Sequence, residues 1–257
     1  MGYRETMRGI LCLSVASMCV LAGCGNDTPP PAPTLTVAAA ANLTGAAEEL
    51  DAAFEAQTRF NVTLSLGSTA QLAQQMANGA PFDVLLAADT EHIDKLIGKG
   101  KLRPDSRAVY ALGRLALWIP DETRPEKTLR DLASPSVKFI AVAQPDLAPY
   151  GLAAIEALKR SGLWDRVRTK LVYANNINMA RQLAASGNAD AALTAYPLVM
   201  NDRGRVIKID SALHGPLEQA VGVASATPSR SEALAFRDFV LGPQGRAILS
   251  RRGFELP

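Results

Sequence analysis

The sequence predicts an α/β fold with parallel sheets covered on both faces, and three observations predict it. Apolar strand-like runs alternate with amphipathic helical runs from Leu35 to the end of the chain. Most strand runs are apolar along their whole length, as strands buried on both faces are. Finally, two β-α-β runs flank one long strand-like stretch, and a strand-plus-helix tail follows the second. That order fits two lobes, with the chain crossing near 110–118 and returning near 211–222.

In chain order, "LTVAAAA" (35–41) reads as a buried strand. The helix after it, "NLTGAAEELDAAFEAQ", places Leu43, Ala46, Ala47, Leu50 and Phe54 at helical spacing. "FNVTLSL" (60–66) alternates strictly, so it is a strand with one apolar side. "TAQLAQQMAN" is a short helix stopped by Gly79, and "DVLLAA" (83–88) an apolar strand. "TEHIDKLIGKG" is a helix with acids in its first turn and glycine at its end. "AVYALGRLALWIP" (108–120) reads as one long, bent strand. "VKFIAVA" (137–143) is a strand and "GLAAIEALKRSG" (151–162) a helix. "KLVYA" is a strand, "INMARQLAASG" a helix ended by Gly187, and "AALTAY" (191–196) a strand. "RVIKI", "AVGVASA" and the helix pair "SEALAFRDFVLG" and "PQGRAILSRRG" complete the chain.

The fold is expected to start only after residue 33. Arg4 and Arg8 precede an apolar run, Ile10 to Leu21, too short to span a bilayer comfortably, so residues 1–23 read as an export signal. It ends in "LAGC", which resembles a bacterial lipobox; that resemblance makes Cys24 the lipidated first residue of the mature chain. Residues 24–33, "CGNDTPPPAP", are too proline-rich to build a core and read as an extended tether. All 3 cysteines lie at or before Cys24. The exported domain therefore has neither a disulfide nor a thiol for metal or nucleophilic chemistry. The whole chain has 27 basic and 25 acidic residues, a net of +2, which falls to +1 when Arg4, Glu5 and Arg8 leave with the signal. Such a balance gives no support for a nucleic-acid partner.

Ligands of open α/β sheets sit beyond the carboxyl ends of the strands. That rule selects Asn42, the segment Gly67–Ser68–Thr69, Asp89, the loop 144–150, the loop 173–177 and Tyr196. Several of these are helix starts, whose outward amides attract anions without any cationic side chain. Singly, each has a structural role open to it. Asn42 or Thr44, and Ser68 or Thr69, suit N-caps; Tyr196 beside Pro197 suits a core or hinge position. Asp89, Glu91 and Asp94 suit the dipole of a first turn, and His92 and His214 suit solvent. No nucleophile, metal or phosphate-loop motif is present, so an enzyme is not expected. From Phe60 to Phe82 there is no Asp, Glu, Lys or Arg, although 20% of the chain is charged.

Lipobox, tether, two α/β lobes and neutral, donor-rich helix starts together suggest an extracytoplasmic solute-binding protein. "LTVAAAANLTGAAEELDAAFE", "LGSTAQLAQQMANGAPFDVLLAAD", "APYGLAAIEAL" and "ALTAYPLV" resemble the molybdate-binding proteins of ABC transporters, over about 35–257. The resemblance implies the two-lobed periplasmic binding protein fold, each lobe a mostly parallel sheet flanked by helices, with the ligand in the cleft between lobes. On that pattern lobe 1 is 34–112 with 218–257, and lobe 2 is 113–217. It implies molybdate or tungstate as ligand, no cofactor, and no direct metal ligands, since the metal arrives inside its oxyanion. By position, the family's two serines fall on Asn42 and on Thr69 beside Ser68. Its backbone contacts fall on Tyr150 and Ile177, and its tyrosine on Tyr196. Partners follow likewise: a permease with its ATPase, the membrane through lipid on Cys24, and a monomeric receptor facing the periplasm or cell exterior. Asn42 and Thr69 both depart from the commonest serine pattern, which keeps sulfate open as the ligand. A lipid-anchored hydrolase or adhesion module on the same fold is the remote alternative.

Overall fold

A computed structural model describes residues 34–257. The expected signal at 1–23, the tether at 24–33 and the lipidated Cys24 lie outside the described residues.

β1 (Thr34–Ala40) runs into a 3-10 turn, Ala41–Leu43, and then α1 (Ala46–Glu55). β2 (Asn61–Gly67), α2 (Thr69–Ala77), β3 (Val84–Ala87), α3 (Glu91–Gly98) and β4 (Ala108–Leu112) follow. The chain then passes to β5 (Leu115–Ile119), β6 (Ile140–Ala143), α4 (Pro149–Arg160), α5 (Trp164–Val167) and β7 (Leu171–Ala174). α6 (Ile177–Ala185), β8 (Ala191–Ala195), α7 (Tyr196–Val199) and β9 (Arg205–Lys208) come next. β10 (Glu218–Val223), α8 (Arg230–Leu241) and α9 (Pro243–Arg251) end the chain.

These strands build two five-stranded sheets, ordered β2-β1-β3-β10-β4 and β7-β6-β8-β5-β9. β1 is parallel to both its neighbours, with Val37 between Leu64 and Val84. β6 is likewise parallel to β7 and β8. The crossing strands are what make the sheets mostly, not wholly, parallel: β10 runs antiparallel to β3 and β4, and β5 to β8 and β9. Four strands of each sheet therefore point one way and the fourth in order points back. The reversal has a simple cause. β4 leads straight into β5, so the expected long strand is divided at Gly113–Arg114 and shared between the sheets. The Gly113 N–H donates to the Leu217 carbonyl at 2.8 Å, tying the two crossing segments together.

Both sheet faces are covered, which explains the unbroken apolar runs. On the first sheet, Leu35, Val37 and Ala39 pack with Leu50, Phe54, Phe236 and Ile248 from α1, α8 and α9. Ala38, Leu85 and Ala87 point the other way, against Leu72, Met76, Ile93 and Leu96 from α2 and α3. On the second sheet, Leu115, Leu117, Ile140 and Val142 meet α4, while Ala116, Ala141 and Ala192 meet Ala180 and Ala184 of α6. β2, an edge strand, alternates because one of its faces meets solvent.

Candidate functional site

The order 2-1-3 recurs in both sheets, so each has a switch point beside its central parallel strand, β1 or β6. The carboxyl ends of the two sheets meet there around a small cavity. The first lobe lines it with Ala40, Ala41 and Asn42, with Gly67, Ser68 and Thr69, and with Ala88; the second with Ala148, Pro149, Tyr150 and Ile177. Its volume, as room for the centre of a water-sized sphere, is about 10 Å³, close to what one water needs. No ionisable side chain lines it except the Tyr150 phenol. Burial pushes that phenol well above its ordinary value, with the adjacent Asn42 side chain opposing. The lining is thus neutral throughout the physiological range.

Asn42 does not cap α1. It sits within the 3-10 turn, fully buried, and donates from Nδ2 to Gln219 Oε1 at 2.7 Å. Gln219 Nε2 in turn donates to the Leu217 carbonyl at 2.9 Å and the Ala88 carbonyl at 3.2 Å. Asn42 Oδ1 and the Tyr150 hydroxyl are both buried, and neither has a hydrogen-bond partner. Buried polar atoms without partners are uncommon and costly; of these two, the Tyr150 hydroxyl keeps a proton to donate, whereas Asn42 Oδ1, adjacent to it, can only accept.

Ser68 and Thr69 divide two tasks. Ser68 is the N-cap of α2: its hydroxyl accepts from Gln71 N–H at 3.4 Å and donates to Gln71 Oε1 at 2.8 Å. The Thr69 hydroxyl accepts the Ala88 N–H at 3.1 Å, which leaves its proton free to donate. The first amides of a helix have no intrahelical acceptor. Around this cavity Ala70 N–H crosses between lobes to the Leu147 carbonyl at 3.1 Å, and Met179 N–H is capped by Asn176 Oδ1 at 2.9 Å. Thr69, Tyr150 and Ile177, which line the cavity, stand in the first turns of α2, α4 and α6, at the positive ends of those helices. Thr194 holds the start of α6 in place by donating to the Ile177 carbonyl at 3.3 Å.

The structure thus gathers Asn42, Ser68, Thr69, Tyr150 and Ile177, and does not bring Tyr196 among them. The half-buried Tyr196 ring lies under Lys208, whose Nζ is 4.2 Å from its centroid, and beside Gly253 of the C-terminal segment. His214 is buried, against expectation, with Nδ1 on the Gly215 carbonyl, and His92 pairs with Asp89 at 2.8 Å. A wider recess of about 470 Å³ opens beside the cavity. It carries Asp89, Glu91, Asp146, Glu156 and Glu218 against Lys95 and His92, a lining that repels anions. Sequence reasoning missed Gln219 and Gly113. Gly113 has no local signal: a Cβ there would sit 2.0 Å from the Tyr150 hydroxyl. Among the described residues no three His, Cys, Asp or Glu side chains are placed to hold a bare metal ion.

A family profile described as "Bacterial extracellular solute-binding protein" matches residues 35–255. The molybdate-binding protein ModA of Rhodobacter capsulatus is 33% identical over 231 residues, 90% of this chain and 91% of that one. A putative ABC transporter substrate-binding lipoprotein of Bacillus subtilis, YvgL, is 26% identical over 226 residues, 86% of each chain. Among solved structures, the periplasmic molybdate-binding protein of Azotobacter vinelandii superposes with a TM-score of 0.84 at 31% identity. The match covers 87% of this chain and 99% of that one.

Proposed function

Because the chain belongs to the bacterial extracellular solute-binding proteins, we propose that it captures molybdate, and tungstate with it, and hands the oxyanion to a membrane permease and its ATPase. One observation carries this reading: a cavity between the lobes, lined only by neutral groups, on which three helix N-termini converge. A lysine or arginine there would attract any anion, and a carboxylate would demand a proton on the ligand. Neutral donors select a fully ionised tetrahedral dianion by shape and hydrogen-bond count. Asn42, Thr69 and Tyr150 donate from side chains, and Thr69, Tyr150 and Ile177 from the backbone. Four oxygens outgrow the present space, so the lobes, 34–112 with 218–257 and 113–217, part to admit the anion and close on it. Nothing is made or broken: the metal stays inside its oxyanion and needs no direct protein ligand. Lipid on Cys24 would hold this monomer at the membrane surface, as the "LAGC" motif and the lipoprotein relative support.

A thermal-shift panel tests the binding. Free anion at a thousand times Kd adds about 4 kcal/mol by linkage, and each kcal/mol is worth roughly 2–4 °C for a domain of this size. Molybdate and tungstate should therefore raise the melting temperature by about 8–16 °C. Sulfate and phosphate at equal concentration should do much less, and a sulfate response equal to that of molybdate would refute the selectivity. For the anchor, Cys24→Ala should move the protein from the membrane to the soluble fraction; unchanged fractionation would place the anchor elsewhere.

A further inference from the structure

We infer that Gln219, which does not line the cavity, is a positioning residue that sets the oxyanion specificity by deciding which end of the Asn42 carboxamide serves the anion. The inference rests on the cavity being the oxyanion site. A carboxamide has a donor end and an acceptor end of nearly equal shape, and a buried asparagine beside an anion is useful only if its nitrogen is correctly turned. Gln219 removes the choice. Its Nε2 is committed to two main-chain carbonyls, of Ala88 at the end of β3 and of Leu217 in the returning crossing segment. Its Oε1 must therefore face Asn42, and Asn42 must answer with Nδ2, at 2.7 Å. Turning Asn42 over would set two lone-pair oxygens against each other in a fully buried position. Nδ2 carries two hydrogens; Gln219 takes one and the other is kept for the ligand. The contact joins residues 177 apart in sequence and ties the turn after β1 to the returning strand β10. Gly113, in the outgoing segment, would bring a Cβ to 3.0 Å from Gln219 Nε2. Gln219 thus ties the hinge to the donor set, although it never touches the anion.

A double-mutant cycle read in molybdate Kd, with each unliganded melting temperature alongside, decides the matter. Gln219→Met keeps the volume but holds nothing, so Asn42 is free to turn. Molybdate Kd should weaken by about 10-fold, the loss of one charge-assisted hydrogen bond, and the ratio of sulfate to molybdate Kd should change with it. In an Asn42→Ala background the same Gln219→Met change should alter Kd by less than about 2-fold, whatever it does to the melting temperature. A residue that merely stabilises the fold would weaken binding equally in both backgrounds, and that result overturns the inference. Gln219→Leu enters the same cycle if the Met variant is not recovered folded. Failure of the underlying reading looks different: Asn42→Ala alone would then bind molybdate as tightly as wild type.

Discussion

Thr69→Val separates support of the fold from ligand binding, because on the proposed reading the Thr69 hydroxyl has two separable tasks. Valine keeps the shape and removes the oxygen. The oxygen accepts the Ala88 N–H at 3.1 Å in a fully buried position. Losing it strands that amide at a cost of about 1–3 kcal/mol. In a domain of this size the unliganded protein should melt roughly 2–12 °C lower. The hydroxyl proton has no other partner, so on the proposed reading it points at an anion oxygen. Losing that charge-assisted bond costs a further 1.5–3 kcal/mol or so, roughly 10- to 150-fold in Kd. Calorimetric titration with molybdate beside the unliganded melt reads both numbers. Ser68→Ala is the control, since Ser68 spends both its bonds on Gln71. It should cost about 0.5–2 kcal/mol of stability as a lost cap and leave Kd within about 2-fold. A Thr69→Val protein that melts lower yet binds molybdate as tightly as wild type would refute the donor role and leave Thr69 as support for β3 alone.

Tyr150→Phe should act with the opposite sign on stability. It removes a buried hydroxyl that lacks a partner, so the free protein should melt no lower while molybdate Kd weakens about 10-fold or more; an unchanged Kd would free the phenol of any ligand role. Gly113→Ala would place a Cβ 2.0 Å from the Tyr150 hydroxyl and 2.9 Å from its Cζ. This overpacking should cost about 1–3 kcal/mol and weaken binding by displacing Tyr150; a melt and a Kd both equal to wild type would contradict it. Asp51 supplies a pH dependence away from the site. Burial first, and the charge of Glu55 second, raise its pKa from 3.8 to about 6. The folded protein then holds a proton that the unfolded chain has released, so stability falls as pH rises through that window and the penalty is full above it. Asp51→Asn should raise the melting temperature at pH 7.5 and make little difference below pH 4, and melts across that range would show it; a benefit that grows toward acid pH would reverse the sign.

What the sequence showed, and what it hid, follow from the reach of each signal. Apolar runs as short as "DVLLAA" sufficed for strands buried on both faces, and glycine stops such as Gly79 and Gly187 bounded the helices after them. The strand-end rule selected Asn42, Thr69, Tyr150 and Ile177, which line one small cavity, because a backbone position was all it needed. It also selected Tyr196, which does not line that cavity and whose part depends on the direction of its side chain. It could not place the Tyr150 phenol, whose position against Gly113 comes from the packing of α4 on the crossing segment. The stretch 108–120 looked continuous because hydrophobicity runs on through Gly113–Arg114. A change of sheet leaves no mark on periodicity. Gln219 lay beyond any local pattern, its role resting on partners in β3 and the first turn.

The order of strands also bears on how the chain reaches this state. β5 to β9 are consecutive, so everything the second sheet needs is encoded between Leu115 and Lys208. The first sheet has no such independence. β10 lies between β3 and β4, and α8 and α9 cover one face of that sheet. Until Val223 is in hand, β3 and β4 have no strand to join them, and about half the core around Phe54 lacks its partners. Pairings so distant in sequence carry a large loop-closure cost and form slowly. The second sheet's pairings are thus confined to one continuous stretch of chain, whereas the first sheet's need its last stretch. A truncation after Leu217 would leave a gap in the middle of the first sheet, two exposed strand edges and an invitation to aggregate. Gln219 lies on that same strand, so the pocket's polar network depends on the last pairing of the first sheet.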